Sequence, residues 1–207
     1  MNDIAMVLNR ASVIPVIVID NLEDAVPLAS ALVEGGLDVL EVTLRTPVAI
    51  EAVSLMKQAL PDAIIGTGTV TNMTNLHASM EAGADFMVSP GVTSSLLRDA
   101  RAEGANLLPG AATPSEVMQL LEEGFCFQKF FPAEAAGGIP MLKALAGPLP
   151  QATFCPTGGI SLSNARDYLA LENVACVGGT WMLDKNLIEK KDWQAIAELA
   201  KSCHSLV

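Results

Sequence analysis

The chain has 207 residues, 51% of them hydrophobic and 17% charged, with 12 Lys+Arg against 23 Asp+Glu for a net charge of -11. That length buries a sizeable core without a disulfide or metal, and so apolar a composition excludes intrinsic disorder. The acidic balance excludes nucleic acid and anionic membranes as partners, and no apolar run nears the ~18 residues of a membrane helix or follows a basic leader.

The first dozen residues predict a short helix that lids one end of the fold. A β-branched run at 13–19 then predicts a strand and 23–34 a helix. Strand and helix alternate from there, with strands at 39–44, 63–70, 85–89, 105–110, 127–132, 152–159 and 175–180. Helices are expected at 48–60, 73–82, 94–103, 114–123, 140–146, 163–170 and 192–203. Asn21, Thr93, Thr113 and Ser161 or Ser163 are the expected N-caps, and glycines at 35–36, 83, 104 and 124 the expected stops. Eight strands separated by single helices imply a parallel sheet with right-handed crossovers. The expected fold is an α/β (β/α)8 TIM barrel with an N-terminal helix, one domain over 1–207. An open doubly wound sheet is the rival, but the first strand is followed by DNLEDA, which lacks the glycine loop of that fold. Pro15 inside the first strand calls for a bulge, because every strand of a barrel is paired on both sides.

Strand parity selects the candidate chemistry. In the second strand Leu40, Val42 and Leu44 share the face toward the helices. Glu41, Thr43 and, just past the strand, Arg45 share the other face, toward the barrel axis. In the third strand Thr67 and Thr69 share parity, with the glycines expected on the helix side. GTGTV at 66–70 lacks a third glycine and sits within a strand, so it is not a dinucleotide loop. In the sixth strand Lys129 lies on one face with Phe127 and Phe131, and Phe130 also adjoins it, three of the six phenylalanines in the chain. Burial of an amine among apolar rings disfavours its ammonium form, and a neutral amine is what Schiff-base chemistry on a ketone requires. A Lys129–Glu41 ion pair that merely plugs the barrel is the alternative. Gly158-Gly159 after the seventh strand and Gly178-Gly179-Thr180 at the end of the eighth occupy the two loops where barrels hold phosphate through backbone N–H groups. Glycine pairs also serve ordinary tight turns. The four cysteines (Cys126, Cys155, Cys176, Cys203) form no CxxC pair and read as reduced core residues. His77 and His204 lie in polar helical stretches and read as solvated, which leaves no histidine for triad or metal chemistry.

LEVTLRT (40–46), GTGTV (66–70), SPG (89–91), FQKFFPAEAAGG (127–138), FCPTGGI (154–160) and VGGTW (177–181) occur in this order across the chain. In these motifs it closely resembles the bacterial 2-keto-3-deoxy-6-phosphogluconate and 4-hydroxy-2-oxoglutarate aldolases, Schiff-base (class I) lyases, the former of the Entner–Doudoroff pathway. The resemblance implies Lys129 as the imine-forming lysine and Glu41 as the general acid/base. It implies Arg45 and Thr69 at the pyruvyl carboxylate, and Pro90 and Phe131 in the pyruvate pocket. Gly158, Gly159, Gly178, Gly179 and Thr180 fall at the phosphate end, where Thr180 stands in place of the commoner serine. Thr157 matches the gluconate-type enzymes, whereas relatives acting on the galactonate epimer tend to carry valine there. No cofactor or metal is implied, and a cytoplasmic homotrimer is. A sister aldolase for the 6-phosphogalactonate epimer and a non-catalytic barrel that binds a phosphorylated metabolite are the alternative readings.

Overall fold

A computed structural model describes residues 3–206, without the side chains of His204 and Ser205, so the expectation for His204 lies outside the described residues. Helix α1 (Ile4–Arg10) leads into β1 (Val13–Ile17), followed by α2 (Ala25–Glu34), β2 (Val39–Thr43), α3 (Ala49–Ala59), β3 (Ile64–Gly68), α4 (Met73–Glu81), β4 (Met87–Val88) and α5 (Ser94–Ala102). The chain continues through β5 (Leu107–Leu108), β6 (Gly110–Ala111), α6 (Pro114–Glu122), β7 (Phe127–Phe130), α7 (Gly138–Ala146), β8 (Thr153–Pro156), α8 (Ala165–Leu169) and β9 (Val177–Gly179). Helices α9 (Lys185–Glu189) and α10 (Trp193–Ser202) end it, with a last 3-10 turn. This is an α/β fold on a curled parallel sheet. One sheet of six strands has the order β5-β4-β3-β2-β1-β9, and a second of three has the order β6-β7-β8.

The expected fifth strand is split. Pro109 has no N–H to give to a ladder, so β5 pairs with β4 before it and β6 pairs with β7 after it. Pro15 does not make the expected bulge. β1 runs in unbroken register with β9 through Val13, Ile14 and Pro15, and pairing with β2 is taken up at Val16. The missing N–H therefore falls where one ladder hands over to the next.

Two apolar layers follow from the two faces of the strands. The outer one, with Leu40, Val42, Ile65 and Phe130, joins strands to helices. The inner one gathers Ile14, Val39, Ile64, Phe86, Val88, Leu108, Cys155 and Cys176 with Val7 and Leu8 of α1. Helix α1 is thus the expected lid over the N-terminal ends of the strands. Arg10 fixes its end, donating through Nη2 to Asp38 Oδ2 at 2.6 Å and to the Asp62 carbonyl at 3.4 Å.

Thr93 and Thr113 cap as expected, the latter in a reciprocal capping box with Glu116. Asn21 precedes only a 3-10 turn and makes no side-chain cap. Neither Ser161 nor Ser163 caps α8, which starts after Asn164. Gly36, Gly83, Gly104 and Gly124 end helices with positive φ. All four cysteines are free. Cys155, Cys176 and Cys203 are buried as expected, but Cys126 is exposed, since it sits in the turn ahead of β7. A hydrogen bond with Cys155, then burial, pushes the Cys176 thiol well up from its ordinary range. His77 is half-exposed on α4, 3.5 Å from Glu103. Among the described residues no helix is long and apolar enough to cross a membrane.

Candidate active site

Glu41 on β2 and Lys129 on β7 belong to different sheets, and their side chains meet in the interior. Lys129 Nζ lies 3.3 Å from Glu41 Oε1, with the two side chains 6% and 5% exposed. Placing two charges or a carboxylate and an amine there is costly unless each satisfies the other, and no other described lysine is buried so deeply. Lys129 is in register with Gly110 on one side and Cys155 on the other, and its N–H donates to Pro109 O at 2.8 Å. Its head stands 5.2 Å from the centre of the Phe131 ring.

Only part of the expected ring of phenylalanines surrounds that lysine. Phe127 and Phe131 do share its face, with Phe127 packed on the inner layer. Phe130 points the other way, into the outer layer, and meets Phe154 edge-on at 6.1 Å. Adjacent residues of a strand face opposite sides, so nearness in sequence is no measure of contact.

β3 reverses the expected parity. Gly66 and Gly68 face the interior, and Thr67 faces the helices. A Cβ at Gly68 would overlap Glu41 Oε1, and one at Gly66 would overlap the Phe86 ring. Gly68 therefore clears room for the Glu41 side chain, two residues beyond the register pair Glu41↔Gly66, and Gly66 does so for Phe86. Thr67 tolerates the outer face because α4 supplies a partner, Ser79 Oγ, at 2.8 Å. Thr69 escapes the strand's alternation. It is a β-branched residue at φ 64°, a conformation that L side chains other than Asn and Asp seldom adopt, and its hydroxyl accepts from Arg45 Nε at 3.4 Å.

Arg45 is exposed at the rim, just past β2. Pro90 is half-buried, and its carbonyl packs so closely on Gly110, the register partner of Lys129, that a Cβ there would overlap it. Thr157 bridges to Gly178, and its buried hydroxyl has no partner. That hydroxyl occupies the space that a side chain at Gly178 would take. Gly158 and Gly159 leave β8 with φ of 100° and 81°, a shape only glycine takes without strain. Gly179 differs from the rest: its missing side chain makes room for the Trp181 indole on the outer face. Thr180 is exposed and shares with Arg45 the wall of a rim cavity of about 650 Å³, which Asp20, Asn21, Lys185 and Ile188 also line. Neither Lys129 nor Glu41 lines this cavity.

A curled parallel sheet with a buried lysine beside a carboxylate fits the lysine-based carbon–carbon lyases. The chain belongs to the KDPG and KHG aldolase family, whose model matches residues 4–199. It is 52% identical to the 2-dehydro-3-deoxy-phosphogluconate aldolase of Dickeya dadantii over 195 residues, 94% of this chain and 92% of that one. A KDPG aldolase of Legionella pneumophila, solved with pyruvate as a covalent carbinolamine, superposes with a TM-score of 0.95 at 51% identity, covering 97% of this chain and 98% of that one. The corresponding enzyme of Zymomonas mobilis ZM4, solved with 3-phosphoglycerate, gives a TM-score of 0.94 at 47% identity over 99% of this chain and 96% of that one.

Proposed function

We propose that the chain is a class I aldolase that cleaves 2-dehydro-3-deoxy-6-phosphogluconate to pyruvate and glyceraldehyde 3-phosphate, and 4-hydroxy-2-oxoglutarate to pyruvate and glyoxylate. The observation that carries this is the buried pair, Lys129 Nζ 3.3 Å from Glu41 Oε1. Lys129 attacks the substrate ketone, and Glu41 carries protons through formation and dehydration of the carbinolamine. The protonated imine then accepts the electron pair of the breaking carbon–carbon bond as the adjacent hydroxyl loses its proton to become the aldehyde. Protonation of the enamine and hydrolysis release pyruvate and return the amine.

Arg45 holds the substrate carboxylate by its planar fork, with Thr69 orienting the guanidinium. Pro90 and Phe131 wall the pyruvyl methyl. Gly158, Gly159, Gly178, Gly179 and Thr180 form the phosphate end, with the unpartnered Thr157 hydroxyl between phosphate and imine. The 3-phosphoglycerate in the Zymomonas relative supports an anion site in this family.

We further infer one catalytic domain over 1–207, closed as an eight-stranded barrel. Two pairings, β1 with β9 and the Thr157↔Gly178 bridge, support closure, together with the continuity of β5 and β6 across Pro109. A cytoplasmic homotrimer completes the reading. A mean hydropathy of +0.41 is in keeping with a surface partly covered by other copies, and sedimentation velocity at three times the chain mass is the expected result.

The test of the chemistry is pyruvate with sodium borohydride, followed by intact mass and peptide mapping. A pyruvyl adduct on Lys129, absent in Lys129→Ala together with turnover, is expected. A folded protein that takes no adduct overturns the mechanism and favours a metabolite-binding barrel. Turnover on the gluconate against the galactonate epimer separates the two sister activities.

A further inference from the structure

The Gly158–Gly159 turn is held from two sides by residues with no part in the steps above. On one side Ala133 N–H donates to Thr157 O at 2.8 Å and Glu134 N–H to Gly158 O at 3.1 Å. The Cβ and Cγ of Glu134 fill the place that a side chain on Gly159 would need. On the other side Asn164 Nδ2 donates to Gly159 O at 3.1 Å, while its Oδ1 accepts Ser161 N–H at 2.8 Å. Glu134 is itself held. The Tyr168 phenol, fully buried on α8, donates to Glu134 Oε1. Burial, then the carboxylate, pushes the Tyr168 phenol up from its ordinary range, so it remains a donor throughout the working range of pH. Gly138, at φ 56°, closes the pocket: a Cβ there would stand 3.0 Å from the Tyr168 hydroxyl and 3.2 Å from Glu134 Oε1.

Backbone donors hold an anion well only if they are fixed before it arrives, since ordering a loop on binding subtracts from affinity. At this turn the carbonyls of 158 and 159 are both tied down, one by Glu134 and one by Asn164. We propose that Glu134 and Tyr168 are positioning residues for the Gly158–Gly159 turn, a buttress that sets affinity for phosphorylated substrates and leaves the imine chemistry untouched. The proposal rests on the reading of that turn as part of the phosphate end.

The test measures kcat and KM on the phosphorylated keto acid and on unphosphorylated 4-hydroxy-2-oxoglutarate, with inorganic phosphate as competitor. Tyr168→Phe keeps the ring in the core and removes only the donor. It and Glu134→Ala should raise KM for the phosphorylated substrate about tenfold, the scale of one hydrogen bond to a charged group. They should leave kcat and both constants for the unphosphorylated substrate as in the parent. Glu134→Gln keeps the methylenes and an acceptor oxygen and should restore the parent KM. Equal losses on both substrates, or no change on either, overturn the proposal. If phosphate competes with the parent and with every variant alike, the buttress alone is wrong. If phosphate fails to compete even with the parent, the phosphate reading of the turn is wrong, and the buttress falls with it.

Discussion

Glu41 touches both Lys129, the proposed nucleophile, and Gly68, which makes room for it, so its substitution separates binding from chemistry. Glu41→Gln fits the same gap over Gly68 and still accepts from Lys129, but it cannot take up a proton at the same step. Turnover should fall by about 10²–10⁴ while carboxylate recognition at the rim persists, read as an unchanged inhibition constant for a non-reactive keto-acid analogue. A rate equal to the parent would move the acid/base elsewhere. Thr69 tests the opposite coupling. A β-branched residue at φ 64° stores strain of about 1–3 kcal/mol, which glycine would relieve. Thr69→Gly should therefore raise the urea midpoint while raising KM, because Arg45 loses its 3.4 Å partner. A KM equal to the parent's would mean that the strained geometry carries no function, and a lowered midpoint that it stores no strain. The strain is invisible in the sequence, where Thr69 follows an alternating strand without a break, whereas Glu41 and Lys129 stand out as charged side chains within strands and Arg45 as one just past a strand.

At the scale of elements, the sequence carried the alternation and most boundaries but not the facing of β3. Parity needs an anchor, and Gly66, Thr67 and Gly68 offered none, since threonine suits either face once a hydroxyl partner exists. Ser79 on α4 supplied it from twelve residues away. Helix α9 was missed for a different reason: five residues with a single cap at Asp184 leave too short a period to read. Helix α6 shows where local signals suffice. Thr113 Oγ1 accepts Glu116 N–H at 3.3 Å, and Glu116 Oε2 accepts the N–H groups of Ala112 and Thr113 at 2.9 Å. The Ala112 N–H first, then the Thr113 hydroxyl and N–H, hold the Glu116 carboxyl below its usual range against the cost of burial. A carboxyl lowered in the folded state stabilises above its unfolded pKa, and that contribution is lost as pH falls through the folded value. Thermal melts of Glu116→Gln should therefore fall short of the parent at pH 7 and converge with it as the pH is lowered past the carboxylate range. Thr113→Ala should cost about 1 kcal/mol at neutral pH. A gap between Glu116→Gln and the parent that is constant with pH would show that packing, not ionisation, is what the side chain contributes.

Over the whole molecule the two ends of the curled sheet do different work. The C-terminal rim carries Arg45, Thr69, Pro90 and the glycine turns, the approach proposed for substrate. The N-terminal end is closed by α1, whose Val7 and Leu8, at 0% exposure, join the inner apolar layer with Ile14, Val39, Phe86 and Cys155. Cys155 is also the register partner of Lys129, so the plug and the reactive amine share one interior column. Leu8→Ala removes buried side-chain volume from the plug and should cost about 2–5 kcal/mol, about 2–4 °C in Tm for each kcal/mol at this chain length. Leu8 belongs to the inner apolar layer and not to the Lys129–Glu41 pair, so the distance between Nζ and Glu41 Oε1 should survive the cavity, and kcat and KM below the new Tm should match the parent. A variant that melts as the parent does would mean that α1 is an accessory to the fold. A variant that melts early and also turns over slowly would mean that the plug holds the lysine in place as well as closing the core.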